Sequence, residues 1–242
     1  MNKEKYNNLV LEYKEGNITS EYGYSTFKMC SNEKDILKKV KTILGNYGSS
    51  NKEKSEKEDE LFYYLCYLSV DNKLYLYKKV KPNEPGDLIF EENGKNHLIE
   101  LLTCFGNDAS YHYFQKRMHE LFNRTIKTNS KLDKKKYGYH IKDGIKQFFK
   151  DYRKKCNKDY VKNKTYDYVE LLIVTAEYES CIPNWMIRYI SKESFKNNPF
   201  DKIMIIDFFS SGKDGNPTII KDYIRELERQ DNIYIDDFTK TI

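Results

Sequence analysis

The sequence predicts an α/β (α+β) protein with a mixed central β-sheet flanked by helices, and three observations predict it. Two apolar runs rich in β-branched and aromatic residues, YDYVELLIVTAEY at 166–178 and DKIMIIDFFSS at 201–211, have the length and composition of buried strands. An Asn93-Gly94 pair separates two further apolar runs within 87–104, the strongest short-range hairpin signal, because a type I′ turn needs positive φ at both central residues. Between these segments the apolar residues recur at helical spacing. Strands alternating with helices give a layered domain, and no internal repeat breaks the pattern.

In chain order, Tyr6, Leu9, Val10 and Tyr13 suggest a first amphipathic helix over 4–15, ending near Gly16. Ile36, Val40 and Ile43 predict a second over 33–44, with Ser31 or Asn32 as its cap. Residues 45–60, GNYGSSNKEKSEKEDE, are polar and nearly free of apolar side chains, so a mobile charged loop is expected near 45–58. ELFYYLCYL at 60–68 is apolar almost all round and reads as a short buried helix with Asp59 and Glu60 at its mouth. The alternation in KLYLYKKV, 73–80, reads as a strand, and the hairpin of 87–104 follows.

A helix over 109–126 is expected after Gly106-Asn107-Asp108, with His112, Lys116 and Glu120 stacked on one of its faces. Ile141, Ile145, Phe148, Phe149 and Tyr152 predict another over 140–156, and a last helix is expected over 217–230. A single domain over 1–242 accommodates all of these elements.

Composition narrows the class. Aromatic residues make up 15% and charged residues 33%, too many large rings for a disordered chain. The formal charge of +5 favours a polyanionic partner only mildly, and a solvated lysine-rich surface explains it equally well. Five cysteines at 30, 66, 104, 156 and 181 contain no CxxC pair, which argues against a zinc site and for buried reduced thiols. MNKEKYNN has no apolar signal core and no run approaches a membrane span, so the expected setting is cytosolic, without membrane.

The chemistry-bearing feature lies in the hairpin. Stepping outward in register from Asn93-Gly94 brings Asp87 opposite Glu100, so both carboxylates share one face. That face also carries Ile89, Leu98 and Leu102, while Leu88, Phe90, Ile99 and Leu101 occupy the other, so the hairpin belongs inside a sheet. Two opposed acids in such a place repel and are costly without a cation between them, and a divalent metal is the obvious candidate. Taken alone, Asp87 reads as a turn acid, Lys116 as a surface lysine, and Glu60 and Asp59 as complements to a helix dipole. Glu100 inside IELL resists so bland an explanation.

An Asp at a strand start, a turn, a Glu in the next strand and a nearby Lys together resemble the core of the PD-(D/E)xK nucleases. Their usual strand lysine is replaced here by Leu102. The segment PGDLIFEENGKNHLIELLTCFGNDASYHYFQKRMHEL resembles the cap-snatching endonuclease domains of segmented negative-strand RNA virus polymerases, both the influenza-type acidic subunit and the arenavirus-type L protein. In those families a helix after the hairpin delivers the lysine. LLIVTAEYESCIPNWMIRYI, residues 171–190, also resembles the arenavirus-type strand and loop, and the matched parts together cover less than a third of the chain.

The resemblance implies a PD-(D/E)xK-like fold and a metal-dependent endonuclease that cuts host capped, single-stranded RNA to prime viral transcription. It implies two Mn²⁺ or Mg²⁺ ions held by Asp87, Glu100, Glu60 and the backbone carbonyl of Leu101, with Lys116 as the catalytic cation and Glu120 matching an acidic helix position. Asp59 is the reserve for Glu60. The rest of the viral polymerase is the implied partner, and host cytoplasm and virion the implied setting. No His precedes His97, which resembles the His-lacking arenavirus kind. A DNA nuclease of a defence system and a non-catalytic binding domain with a degenerate site are the alternatives.

Overall fold

The computed structural model describes residues 30–45, 51–104, 118–124, 141–175, 199–211 and 217–220. Its elements, in chain order, are α1 (Glu33–Leu44), α2 (Asn51–Val70), a 3₁₀ helix (Leu74–Lys79), β1 (Lys81–Pro82), β2 (Leu88–Glu92), β3 (Lys95–Cys104), α3 (Ile141–Cys156), α4 (Asp159–Lys162), β4 (Tyr168–Thr175), β5 (Lys202–Ser211) and β6 (Pro217–Ile220). The strands form one six-stranded sheet whose spatial order is the chain order. The pairs β1–β2, β2–β3 and β5–β6 are antiparallel, and β3–β4 and β4–β5 are parallel. The mixed α/β fold is therefore the one expected.

The hairpin register is also as expected. Leu88 pairs with Ile99, Ile89 with Leu98 and Phe90 with His97, around a turn in which Asn93 has φ 54° and Gly94 φ 75°. One face of the sheet, carrying Leu88, Phe90, Ile99, Leu101, Leu172, Val174, Met204, Ile206 and Phe208, shares a core with α1 and α2. The other face buries Leu98, Leu102, Leu171, Ile173, Ile203 and Ile205. Helix α3 lies against β3 on that second side, with Phe148 stacked on Tyr152 and Tyr152 against Phe200. Because both faces are covered, a carboxylate on the central strand β3 is withdrawn from water.

Helix α1 buries Ile36, Val40 and Leu44, one residue per turn, with Glu33 and Asp35 in its first turn. Its preceding Asn32 exchanges hydrogen bonds with Ser69 at 2.8 and 3.1 Å, so the start of α1 meets the end of α2 and the two helices run antiparallel. Helix α2 ends where Asn72 adopts φ 57° and the Lys73 N–H donates to the Leu68 carbonyl at 2.7 Å.

Four sequence expectations are corrected. The charged loop near 45–58 gives way to helix from Asn51 onward, and the short helix of 60–68 is the buried half of a 20-residue one. Lys and Glu are good helix formers, so a missing apolar stripe does not stop a helix that its second half anchors. The strand expected at 73–80 is the 3₁₀ helix, in which Leu76 is the buried residue, and pairing begins only at Lys81. The helix expected at 109–126 is described only from Met118, and it has ended by Asn123, whose φ is 53°. Pro217–Ile220 is a strand and not the start of a helix; it closes the sheet edge against β5. The helix expected at 4–15 lies outside the described residues.

Candidate metal centre

The ladder of β2 and β3 stops at Leu88–Ile99, and Asp87 stands one residue beyond it, its N–H donating to the Ile99 carbonyl at 3.3 Å. What turns the chain into this position is Gly86, at φ +96°, where a Cβ would come within 2.6 Å of Leu98 Cδ1. The Asp87 carbonyl accepts from Lys57 Nζ at 3.0 Å and from the Asn83 N–H at 3.2 Å. Backbone and side chain of Asp87 are thus both held.

The Asp87 carboxylate turns toward Glu100. Its Oδ2 accepts from the Leu101 N–H at 2.6 Å and from Lys155 Nζ at 2.7 Å. Lys155 Nζ is also 2.5 Å from Glu100 Oε2, so one ammonium bridges the two acids. Glu100 is fully buried and takes two further donors: Lys158 Nζ reaches Oε1 at 3.0 Å and Oε2 at 3.1 Å, and the Tyr160 hydroxyl donates to Oε1. Burial pushes the Lys155 ammonium toward losing its proton, but the charges and hydrogen bonds of Asp87 and Glu100 outweigh it and hold its pKa above the usual lysine value. Burial and the bond to Glu100 raise the Tyr160 pKa, so the hydroxyl stays a donor.

Glu60 approaches from α2. Burial, then the Asp87 charge, pushes its pKa up to about 7, against the opposing pull of Lys57. Lys57 Nζ stands 2.9 Å from Glu60 Oε2 and is its cationic partner. Asp59 faces elsewhere. It pairs at 2.8 Å with Arg124, which also holds Glu58 and the Ser55 carbonyl and so ties the 118–124 segment to α2. The structure thus separates the two upstream acids, with Glu60 beside Asp87 and Asp59 in a clamp.

Of the residues singled out from sequence, Asp87 and Glu100 share Lys155, Leu101 gives its N–H to Asp87, and Glu60 lies close enough for the Asp87 charge to act on it. Lys116 lies outside the described residues, and Glu120 is exposed. Lys155, Lys158 and Tyr160 were missed. The signal was the basic run RKKCNK at 153–158, in which Lys155 and Lys158 turn inward onto the acids.

Oxygen donors of the kind suited to Mg²⁺ or Mn²⁺ are therefore present: Asp87 and Glu100 converge on one cationic point, while Glu60 is held by Lys57. Among the described residues, however, no three His, Cys, Asp or Glu side chains are grouped to hold an ion as they stand, and the point between the two acids belongs to Lys155. No helix among the described residues is long and apolar enough to cross a membrane. No family model matches the chain, and no curated protein or solved structure matches it either.

Proposed function

We propose that this chain is a divalent-metal-dependent RNA endonuclease of PD-(D/E)xK-like fold, cutting host capped, single-stranded RNA to supply primers to a viral polymerase. The observation that carries the proposal is the placement of Asp87 and Glu100 around a single cationic point on the buried face of a central strand. Asp87, Glu100, Glu60 and the Leu101 carbonyl would hold two Mn²⁺ or Mg²⁺ ions. Such ions, when bound, activate water and neutralise charge on a phosphodiester.

The chain's own groups orient the site. The Leu101 N–H fixes the rotamer of Asp87, and Lys158 and Tyr160 fix that of Glu100. The cation that stabilises developing charge is Lys116 by resemblance, and Lys155 is its rival by geometry, already lying against both acids. Cleavage of single-stranded RNA stimulated by Mn²⁺ tests the proposal, and full activity in Asp87→Ala would sink it. Comparing that substrate with duplex DNA separates an RNA enzyme from a DNA nuclease of a defence system.

One observation favours a second reading, a non-catalytic nucleic-acid-binding domain with a degenerate site. Each acid already has an ammonium against it: Glu60 pairs with Lys57, Asp87 with Lys155, and Glu100 with Lys155 and Lys158. Calorimetry with Mn²⁺ decides between them, because the degenerate site binds none.

A further inference from the structure

The geometry points to Lys155 as a built-in competitor for the metal: its ammonium occupies the point where a divalent ion would bridge Asp87 and Glu100, so an ion enters only as Lys155 leaves. This rests on the proposed metal-dependent function and adds to it an exchange that sets metal affinity.

Lys155 Nζ is 2.7 Å from Asp87 Oδ2 and 2.5 Å from Glu100 Oε2. An ion joining these two oxygens sits about 2.1 Å from each, within the space the ammonium fills. The two cations cannot share it. Charge leads to the same result, because the ammonium already answers both acids, and a divalent ion added beside it would leave an excess of positive charge between them in a partly buried place.

The lysines differ in how they can leave. Lys158 pairs with Glu100 and lies over the Tyr160 ring, and its side chain is 34% exposed, so it can follow Glu100 without lying between the acids. Lys155 is 18% exposed and bridges, and it lies in the last turn of α3, where a side chain can swing outward with little disturbance of the helix body. Release of Lys155 also frees an ammonium beside the bound ion, where a phosphate of the substrate would need one. The same side chain then guards the acids in the metal-free protein and becomes available when the ion arrives.

The test is Mn²⁺ calorimetry, with melting temperatures in chelator and in Mn²⁺, on the full chain, its Lys155→Met variant and its Lys155→Arg variant. Lys155→Met should melt lower in chelator, because two buried acids lose their bridge. It should bind Mn²⁺ on the order of ten-fold more tightly than the wild type and gain more melting temperature from it. Lys155→Arg, which retains the charge and grips carboxylates in a fork, should bind no more tightly than the wild type. Equal or weaker Mn²⁺ binding by Lys155→Met, with the wild type binding normally, overturns the competition and leaves the metal site standing. Absence of Mn²⁺ binding in all three proteins overturns the metal site itself.

Should Lys155→Met not fold, lysine ammonium resonances of the wild type followed during Mg²⁺ titration decide the same question. A slowly exchanging Lys155 signal should vanish as the ion binds. Its persistence at saturation overturns the competition.

Discussion

At the scale of single residues, Glu60 is an acid whose charge the fold resists. Its folded pKa, about 7, lies above the ordinary 4.5, so the folded state binds its proton more tightly than the unfolded chain does. The stability associated with this proton is complete below about pH 4.5 and is lost as pH rises through about 7. In chelator, Glu60→Gln should therefore melt higher than the wild type at pH 8, with the difference shrinking toward pH 5. Tyr160→Phe should cost about 1.5–3 kcal/mol in a denaturant titration, the worth of a hydrogen bond to a charged acceptor, and should weaken metal binding by loosening Glu100. Asp87 and Glu100 were legible in the sequence because a two-residue turn fixes register by counting. Lys155 was not, since it meets Asp87 across 68 residues of chain and no local pattern records so distant a contact.

At the scale of elements, two glycines at the opposite ends of β2 do different work. Gly94 has φ 75° with open space where a Cβ would lie, so Gly94→Ala should cost only the left-handed strain, about 1–2 kcal/mol. Gly86 has φ +96° and Leu98 in the way, so Gly86→Ala should cost more, about 2–4 kcal/mol, and should also impair any Mn²⁺ binding by displacing Asp87. Unfolding curves of the two variants, read side by side, check the order. Strands β2 to β5 were readable because β-branched and aromatic residues crowd them. The first half of α2 was not, because its Lys and Glu residues suit a solvated loop and a solvated helix alike, and only the burial of 61–68 commits the segment. At 73–80 a real alternation of apolar residues misled, because six residues of a 3₁₀ turn reproduce it.

At the scale of the whole molecule, both faces of the sheet are covered and β3 and β4 are central to it. Their amides should be the slowest to exchange with deuterium, and those of β1, with two paired residues at the edge, among the fastest. Fast exchange throughout β4 would contradict the burial of Val169 to Val174. The layered class was visible in the alternation of segments, whereas the edge strand β6 was hidden, because four residues are too few for a period to show. The strands also lie side by side in the order in which they are synthesised. A nascent chain can therefore add each strand to the one before it, and the β2–β3 hairpin emerges from the ribosome well ahead of α3. During that interval Asp87 and Glu100 exist without Lys155, so the pair relies on water and solution ions until translation delivers its counterion from within the chain.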